Sequence, residues 1–165
     1  MARNMKVEVL QAARQQAKTY DEWREISLEL DAHSGLDLWK IETASDHYHH
    51  ELLRERLLTL RQWQHSHNHK LLIRSLREGL HHDLGNMGNA KLYGRAHVGT
   101  KRLIEDYVDQ VCASLDYLCE ATIEHLSNDE KLALFEDITR SFGQPALQLS
   151  GGATLGMFHV GVCKA

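Results

Sequence analysis

Proline is almost absent from this sequence, since only one of its 165 residues is proline. Proline interrupts helices, so its scarcity beside many Leu, Ala, Glu, Gln and Arg residues favours a helical chain. No apolar run approaches the length of roughly 18 residues that is needed to span a bilayer, and the first residues lack the apolar stretch of a secretory signal. Any contact with a membrane is therefore expected to be peripheral.

Cysteines are few, and the 19 Lys and Arg residues are outnumbered by 23 Asp and Glu residues. Cys112, Cys119 and Cys163 include no Cys-x-x-Cys pair of the metal-binding type. An odd number of unpaired cysteines is typical of a cytosolic protein, and it predicts reduced, buried thiols. The formal net charge of −4 gives no reason to expect a nucleic-acid partner.

What is abundant is helical periodicity, which runs through residues 1–142. Apolar residues recur there at spacings of three and four. Two capping boxes, at Thr19–Glu22 and Ser127–Glu130, mark helix starts. Thr100 and either Ser45 or Asp46 are further expected caps, and the glycine-punctuated stretch 85–99 is expected to be loop. The sequence thus predicts a mainly α domain over 1–142, with helices near 5–18, 20–34, 48–64, 69–80, 100–126 and 128–141.

The pattern changes in residues 143–165. Residues 146–149 form a short apolar run that suits a buried parallel strand, residues 150–156 form a small-residue turn, and a helix is expected from Met157. This order predicts the first strand, glycine loop and helix of an α/β domain. Because a lone strand leaves its edges unpaired, we expect that domain to continue beyond the given sequence.

A glycine loop before a helix exposes backbone N–H groups in a region of partial positive charge. It can stabilise an oxyanion, bind a phosphate or serve only as a turn. Its letters do not register with G-x-G-x-x-G, and Lys164 lies too far along for a P-loop. These three readings stay open on physical grounds alone.

The letters QLSGGATLGMFHVGV resemble the oxyanion segment of patatin-like lipases, above all the branch of triacylglycerol lipases, whose pattern is close to L-S-G-G-G/A-x-L-G-x-x-H-x-G-V. Upstream, TYDEWREISLELD, LREGLHHDLGNMGNAKLY and VGTKRLIEDYV are similar to the helical domain that precedes the patatin domain in those enzymes. The resemblance covers about residue 13 to the end of the given sequence.

This resemblance implies a lipid acyl hydrolase that uses a Ser-Asp dyad without a cofactor or metal. The dyad serine belongs to a G-x-S-x-G motif, which the chain does not contain, so the 165 residues alone are expected to be inactive. Gly151, Gly152 and Ala153 correspond to the oxyanion N–H donors, and Gly156 and His159 are expected to support their loop. The implied substrate is a triacylglycerol or phospholipid at a lipid-water interface, and the implied protein is cytoplasmic, with peripheral attachment to a membrane or lipid droplet.

Two other functions remain open: a non-catalytic helical module that binds lipid or a partner, and a nucleotide site at the glycine loop. His65 and His69 have the spacing of zinc ligands on a helix, but a solvated loop explains HSHNHK more simply. Lys101 and Arg102 are expected on an ordinary surface, and the three tryptophans, Trp23, Trp39 and Trp63, in the core.

Overall fold

Residues 2–79, 83–123 and 126–142 are described by the structure, a computed structural model. Within these ranges it contains α-helices and one 3-10 turn, Leu84–Asn86, but no β-strand. The mainly α prediction is therefore confirmed for this part, while the predicted strand, glycine loop and helix of 143–165 lie outside it. The helices are α1 Ala2–Gln16, α2 Tyr20–His33, α3 Leu36–Ile41, α4 His50–His65, α5 His69–Gly79, α6 Ala90–Tyr93, α7 Arg102–Glu120 and α8 Asn128–Phe142.

The predicted capping box at Ser127–Glu130 forms in full, whereas the one at Thr19–Glu22 forms in part, because the Glu22 carboxylate accepts from the Lys18 N–H in place of the Thr19 N–H. The Thr19 hydroxyl accepts a hydrogen bond from the Glu22 N–H at 3.2 Å at the start of α2. At α8 the Ser127 and Glu130 pair is reciprocal: the Ser127 N–H donates to the Glu130 carboxylate at 2.7 Å, and the Glu130 N–H donates to the Ser127 hydroxyl at 3.3 Å. These bonds satisfy N–H groups that a helix start would otherwise leave without partners.

Other predicted boundaries were wrong, each for a local reason. Neither Ser45 nor Asp46 caps α4, because His49 occupies the capping position. Helix α7 ends at Glu120 rather than near residue 126, and the carbonyls of Cys119 and Ala121 at this end accept hydrogen bonds from the Lys131 ammonium. The short helices α3 and α6 were missed, because four to six residues carry too little periodicity to reveal a helix.

The core lies where α4 packs along α7, with α5 against both and α8 against α5. Leu53, Leu57 and Leu60 form the buried stripe of α4, and burial of each leucine contributes about 1.5–3 kcal/mol. Helix α1 packs on α2, which packs on α3. The stripe of α7 that faces the core consists of Leu103, Ile104, Tyr107, Val111 and Leu118.

Two predictions about single residue types differ in outcome. Trp39 is buried in the core as predicted, whereas Trp23 and Trp63 are half-buried. The prediction of buried thiols was wrong for Cys112 and Cys119, which are exposed on α7. Among the described helices, none combines the length and the apolar character needed to cross a membrane.

Substitution of Leu53 by Ala should reduce the free energy of unfolding by about 2–5 kcal/mol, because the side chain is fully buried and leaves a cavity. Leu58, on the same helix but 57% exposed, provides the matched control: Leu58→Ala should change stability by less than about 0.5 kcal/mol. Urea unfolding followed by circular dichroism measures both. Equal losses would contradict the packing described for α4.

Candidate functional site

The predicted oxyanion residues Gly151, Gly152 and Ala153, with Gly156 and His159, lie outside the described residues. Their assignment stays a prediction. In the described ranges, polar side chains gather in several other places, and two of these bear on function. One is a buried cluster around Asp31 and Lys101, and the other is an open groove beside α5.

Asp31 is a buried carboxylate on α2, with 1% of its surface exposed. It accepts a hydrogen bond from the Lys40 ammonium on α3 at 2.8 Å. It also accepts from the backbone N–H groups of His97 at 2.9 Å and Val98 at 3.3 Å. Burial alone raises the pKa of the Asp31 carboxyl, but the bonds from Lys40, His97 and Val98 outweigh it and lower that pKa below its ordinary value. The carboxylate thus joins α2 and α3 to the segment that precedes α7.

Lys101 is the cation of the same region, with 1% of its surface exposed. Its Nζ donates to the carbonyl oxygens of Trp39 at 2.8 Å and Glu42 at 2.7 Å, and lies 4.6 Å from the centroid of the Trp39 ring. Burial lowers the pKa of the Lys101 ammonium below its ordinary value. The Glu42 carboxylate opposes this effect, and the charge of Arg95 adds to it. The prediction of an ordinary surface was therefore wrong for Lys101. It holds for Arg102, whose side chain is 67% exposed.

The start of α7 is closed by a carboxylate and not by the predicted Thr100 cap. The Thr100 hydroxyl donates to the Leu92 carbonyl at 3.0 Å, while the Thr100 N–H donates to Glu105 at 3.0 Å. Gly99 has φ +72°, and a Cβ there would collide with the Glu105 carboxylate. The charged groups of Asp31 and Lys101 thus bind protein partners, so the cluster holds the segment 97–101 in place.

The groove is the second polar site, with a volume of about 1090 Å³. Residues 66–71 and one side of α5 form its first wall, and Ile123 and Leu126 form the second. At one end the Tyr117 hydroxyl contacts His67 Nδ1 at 2.7 Å and His69 Nε2 at 2.8 Å. Sequence reasoning missed this triad, because Tyr117 lies about 50 residues from its partners.

His65 and His69 do not share one helix, as a pair of zinc ligands at that spacing would require. Helix α4 ends at His65, and His69 begins α5 after a turn in which His67 has φ +53°. HSHNHK is thus a turn between helices, and His67 and His69 are held by Tyr117. Within the described ranges, no three His, Cys, Asp or Glu side chains form a group that could hold a metal ion.

Comparison with known proteins places this domain in a family. The family profile described as "Domain of unknown function (DUF3336)" matches residues 1–140. The chain is 40% identical over 149 residues to "Triacylglycerol lipase ptl3" of Schizosaccharomyces pombe, which covers 90% of this chain and 30% of that protein. It is 34% identical to "Triacylglycerol lipase 5" of Saccharomyces cerevisiae, over 94% of this chain and 21% of that protein.

Two further relatives come from a plant and from a third fungal genus. "Triacylglycerol lipase SDP1L" of Arabidopsis thaliana is 38% identical over 90% of this chain and 18% of its own length. Another relative, from Cryptococcus neoformans, is called a patatin-like phospholipase domain-containing protein. The chain spans less than a third of the length of these relatives. No solved structure matches it significantly. The resemblance inferred from the sequence motifs is confirmed.

Substitution of Asp31 by Asn should lower the free energy of unfolding by about 2–3 kcal/mol at pH 7, because it removes a buried charge that accepts three hydrogen bonds. The pKa of Asp31 is depressed in the folded chain, so its stabilisation is present above the ordinary value of 3.8 and is lost as the pH falls through the folded pKa. Asp31→Asn should therefore lose less stability than the wild type on acidification below that value.

Urea unfolding at pH 7 and at steps between about pH 5 and 3 measures both effects, on either side of the ordinary aspartate pKa. Asp109→Asn on α7 is the control, because that side chain is exposed. If the two variants were equally stable at pH 7, the anchoring role of Asp31 would be refuted.

Proposed function

The chain belongs to the DUF3336 family, and from that membership we propose that it is the N-terminal part of a patatin-like serine lipid acyl hydrolase that cleaves carboxylic esters of triacylglycerols or phospholipids. The observation that carries the proposal is the agreement between the lipase names of relatives at 32–40% identity and the letters S-G-G-A of residues 150–153. The substrate follows from the names those relatives carry, so triacylglycerol is the first choice.

In the proposed reaction, a serine hydroxyl attacks the ester carbonyl carbon and the alcohol leaves, after which water hydrolyses the acyl-enzyme. Each attack places negative charge on the former carbonyl oxygen. Backbone N–H groups of Gly151, Gly152 and Ala153 would donate to that oxygen, and donors fixed in advance stabilise it without reorganisation. Gly156 and His159 would hold the loop in shape.

The serine is proposed to lie in a part of the protein outside these 165 residues, because no G-x-S-x-G occurs among them. The chain should then contribute oxyanion donors and not the nucleophile. Contact with substrate would take place at a lipid-water interface, with the protein attached peripherally to a membrane or lipid droplet. The helical domain would be a rigid support for the loop that follows it, since α8 packs against α5.

Replacing Ala153 by Pro in the complete protein should lower kcat for triacylglycerol hydrolysis by about 100- to 1000-fold, because proline has no N–H to donate. Ala153→Gly keeps the N–H and should lose far less activity. Release of fatty acid from a triolein emulsion measures both variants, and their unfolding midpoints check that both fold. The given 165-residue chain should release none.

Three results would count against the proposal. Equal activity of the Pro and Gly variants would remove Ala153 from the oxyanion site. Hydrolysis by the 165-residue chain alone would overturn the assignment of the nucleophile to another part of the protein. A complete protein that binds triolein emulsions but hydrolyses no ester would favour the non-catalytic lipid-binding module.

A further inference from the structure

The groove beside α5 has an apolar interior of ligand size. Leu71, Ile73, Ile123 and Leu126 are half-buried along it, from two walls that belong to different parts of the chain. Its volume of about 1090 Å³ is slightly above the range of about 300–1,000 Å³ that is usual for small-molecule sites. An apolar chain can therefore lie in it and remove these side chains from water.

The described lining of the groove carries a net charge opposite in sign to that of the whole chain. Among the described residues that line the groove are Lys70, Arg74 and Arg77 but only one carboxylate, Glu78, although the chain carries a formal net charge of −4. Lys70 is exposed and forms no ion pair with any described residue. This excess of basic side chains beside an apolar interior favours a ligand with an acidic head group.

The two arginines have only weak partners. Arg74 pairs with Glu78 at 2.7 Å, and Arg77 pairs with Asp137 at 3.6 Å, but all four side chains are at least half exposed. Such surface pairs contribute little, about 0–1 kcal/mol. A ligand anion can therefore replace a carboxylate partner at small cost.

One end of the groove is preformed. The hydrogen bonds from His67 and His69 to Tyr117 tie the turn before α5 to α7. Asn68 accepts from the Leu71 N–H at 3.2 Å and so fixes the first turn of α5. Lys70 lies in that first turn, where the helix N-terminus adds partial positive charge.

We propose that the groove binds one long-chain fatty acid, with its carboxylate at Lys70 and Arg74 and its hydrocarbon chain along Leu71, Ile73 and Ile123. The ligand class rests on the proposed function, because ester hydrolysis releases this acid. The groove is proposed as a site for product, formed by residues other than those proposed to stabilise the oxyanion.

Binding is tested by calorimetric titration of the 165-residue chain with oleate, kept below the concentration at which oleate aggregates. One oleate should bind per chain. Methyl oleate has the same hydrocarbon chain without the charge and should bind at least tenfold more weakly. Lys70→Gln combined with Arg74→Gln should also weaken oleate at least tenfold. Arg24→Gln is the matched control, since Arg24 is exposed on α2 and does not line the groove.

A second pair of variants tests the apolar wall. Leu71→Asp should weaken oleate at least tenfold, whereas Leu132→Asp, at a 60% exposed position on α8 outside the groove, should not. Circular dichroism of each variant confirms its helical content. This titration measures binding and not hydrolysis. Its result therefore does not depend on the outcome of the lipase assay on the complete protein.

Several outcomes would overturn the proposal. Methyl oleate binding as tightly as oleate would remove the carboxylate from recognition. Dodecyl phosphate binding more tightly than dodecanoate would reassign the groove to a phosphate head group. Equal effects of the groove variants and their controls would show that oleate binds elsewhere on the chain.

Discussion

The hydrogen bonds and the ion pair of the buried Asp31 carboxylate are the interactions that join α2 and α3 to the segment before α7. A buried charge is costly unless it is paired and hydrogen-bonded, and Asp31 meets both conditions with Lys40 and two backbone N–H groups. Those N–H groups belong to residues more than 60 positions away. The polar cluster therefore joins two distant parts of the chain. Its hydrogen bonds fix the relative orientation of these parts more strictly than apolar contacts would. Lys101 strengthens the same junction through carbonyls at the end of α3.

How much of this could be predicted from the sequence depends on the distance over which each feature is encoded. Capping boxes act over three residues, and helical stripes over seven, so Thr19–Glu22, Ser127–Glu130 and the long helices were predictable. The buried position of Lys101 was not, because a lysine before a helix has the same local pattern whether it faces water or Trp39. The link from Tyr117 to His67 and His69 was hidden for the same reason.

The candidate oxyanion site, in contrast, was inferred from its sequence letters alone. Its letters, residues 150–153, were informative enough to indicate a family, and the family match over residues 1–140 agrees with them. The groove carried no such letters. Its walls come from α5 and from Ile123 and Leu126, and only folding makes their apolar and basic side chains neighbours. A motif thus led to one proposed site, and three-dimensional packing to the other.

The left-handed backbone at Gly99 restricts which amino acids this position can accept during evolution. Any other residue would carry an unfavourable conformation costing about 1–2 kcal/mol. Its side chain would also push Glu105 away from the Thr100 N–H. The cost would extend beyond one turn, because Thr100 and Lys101 follow directly and Lys101 reaches Trp39. A mutation of this single codon would loosen the junction between the two parts of the domain while leaving each helix able to form.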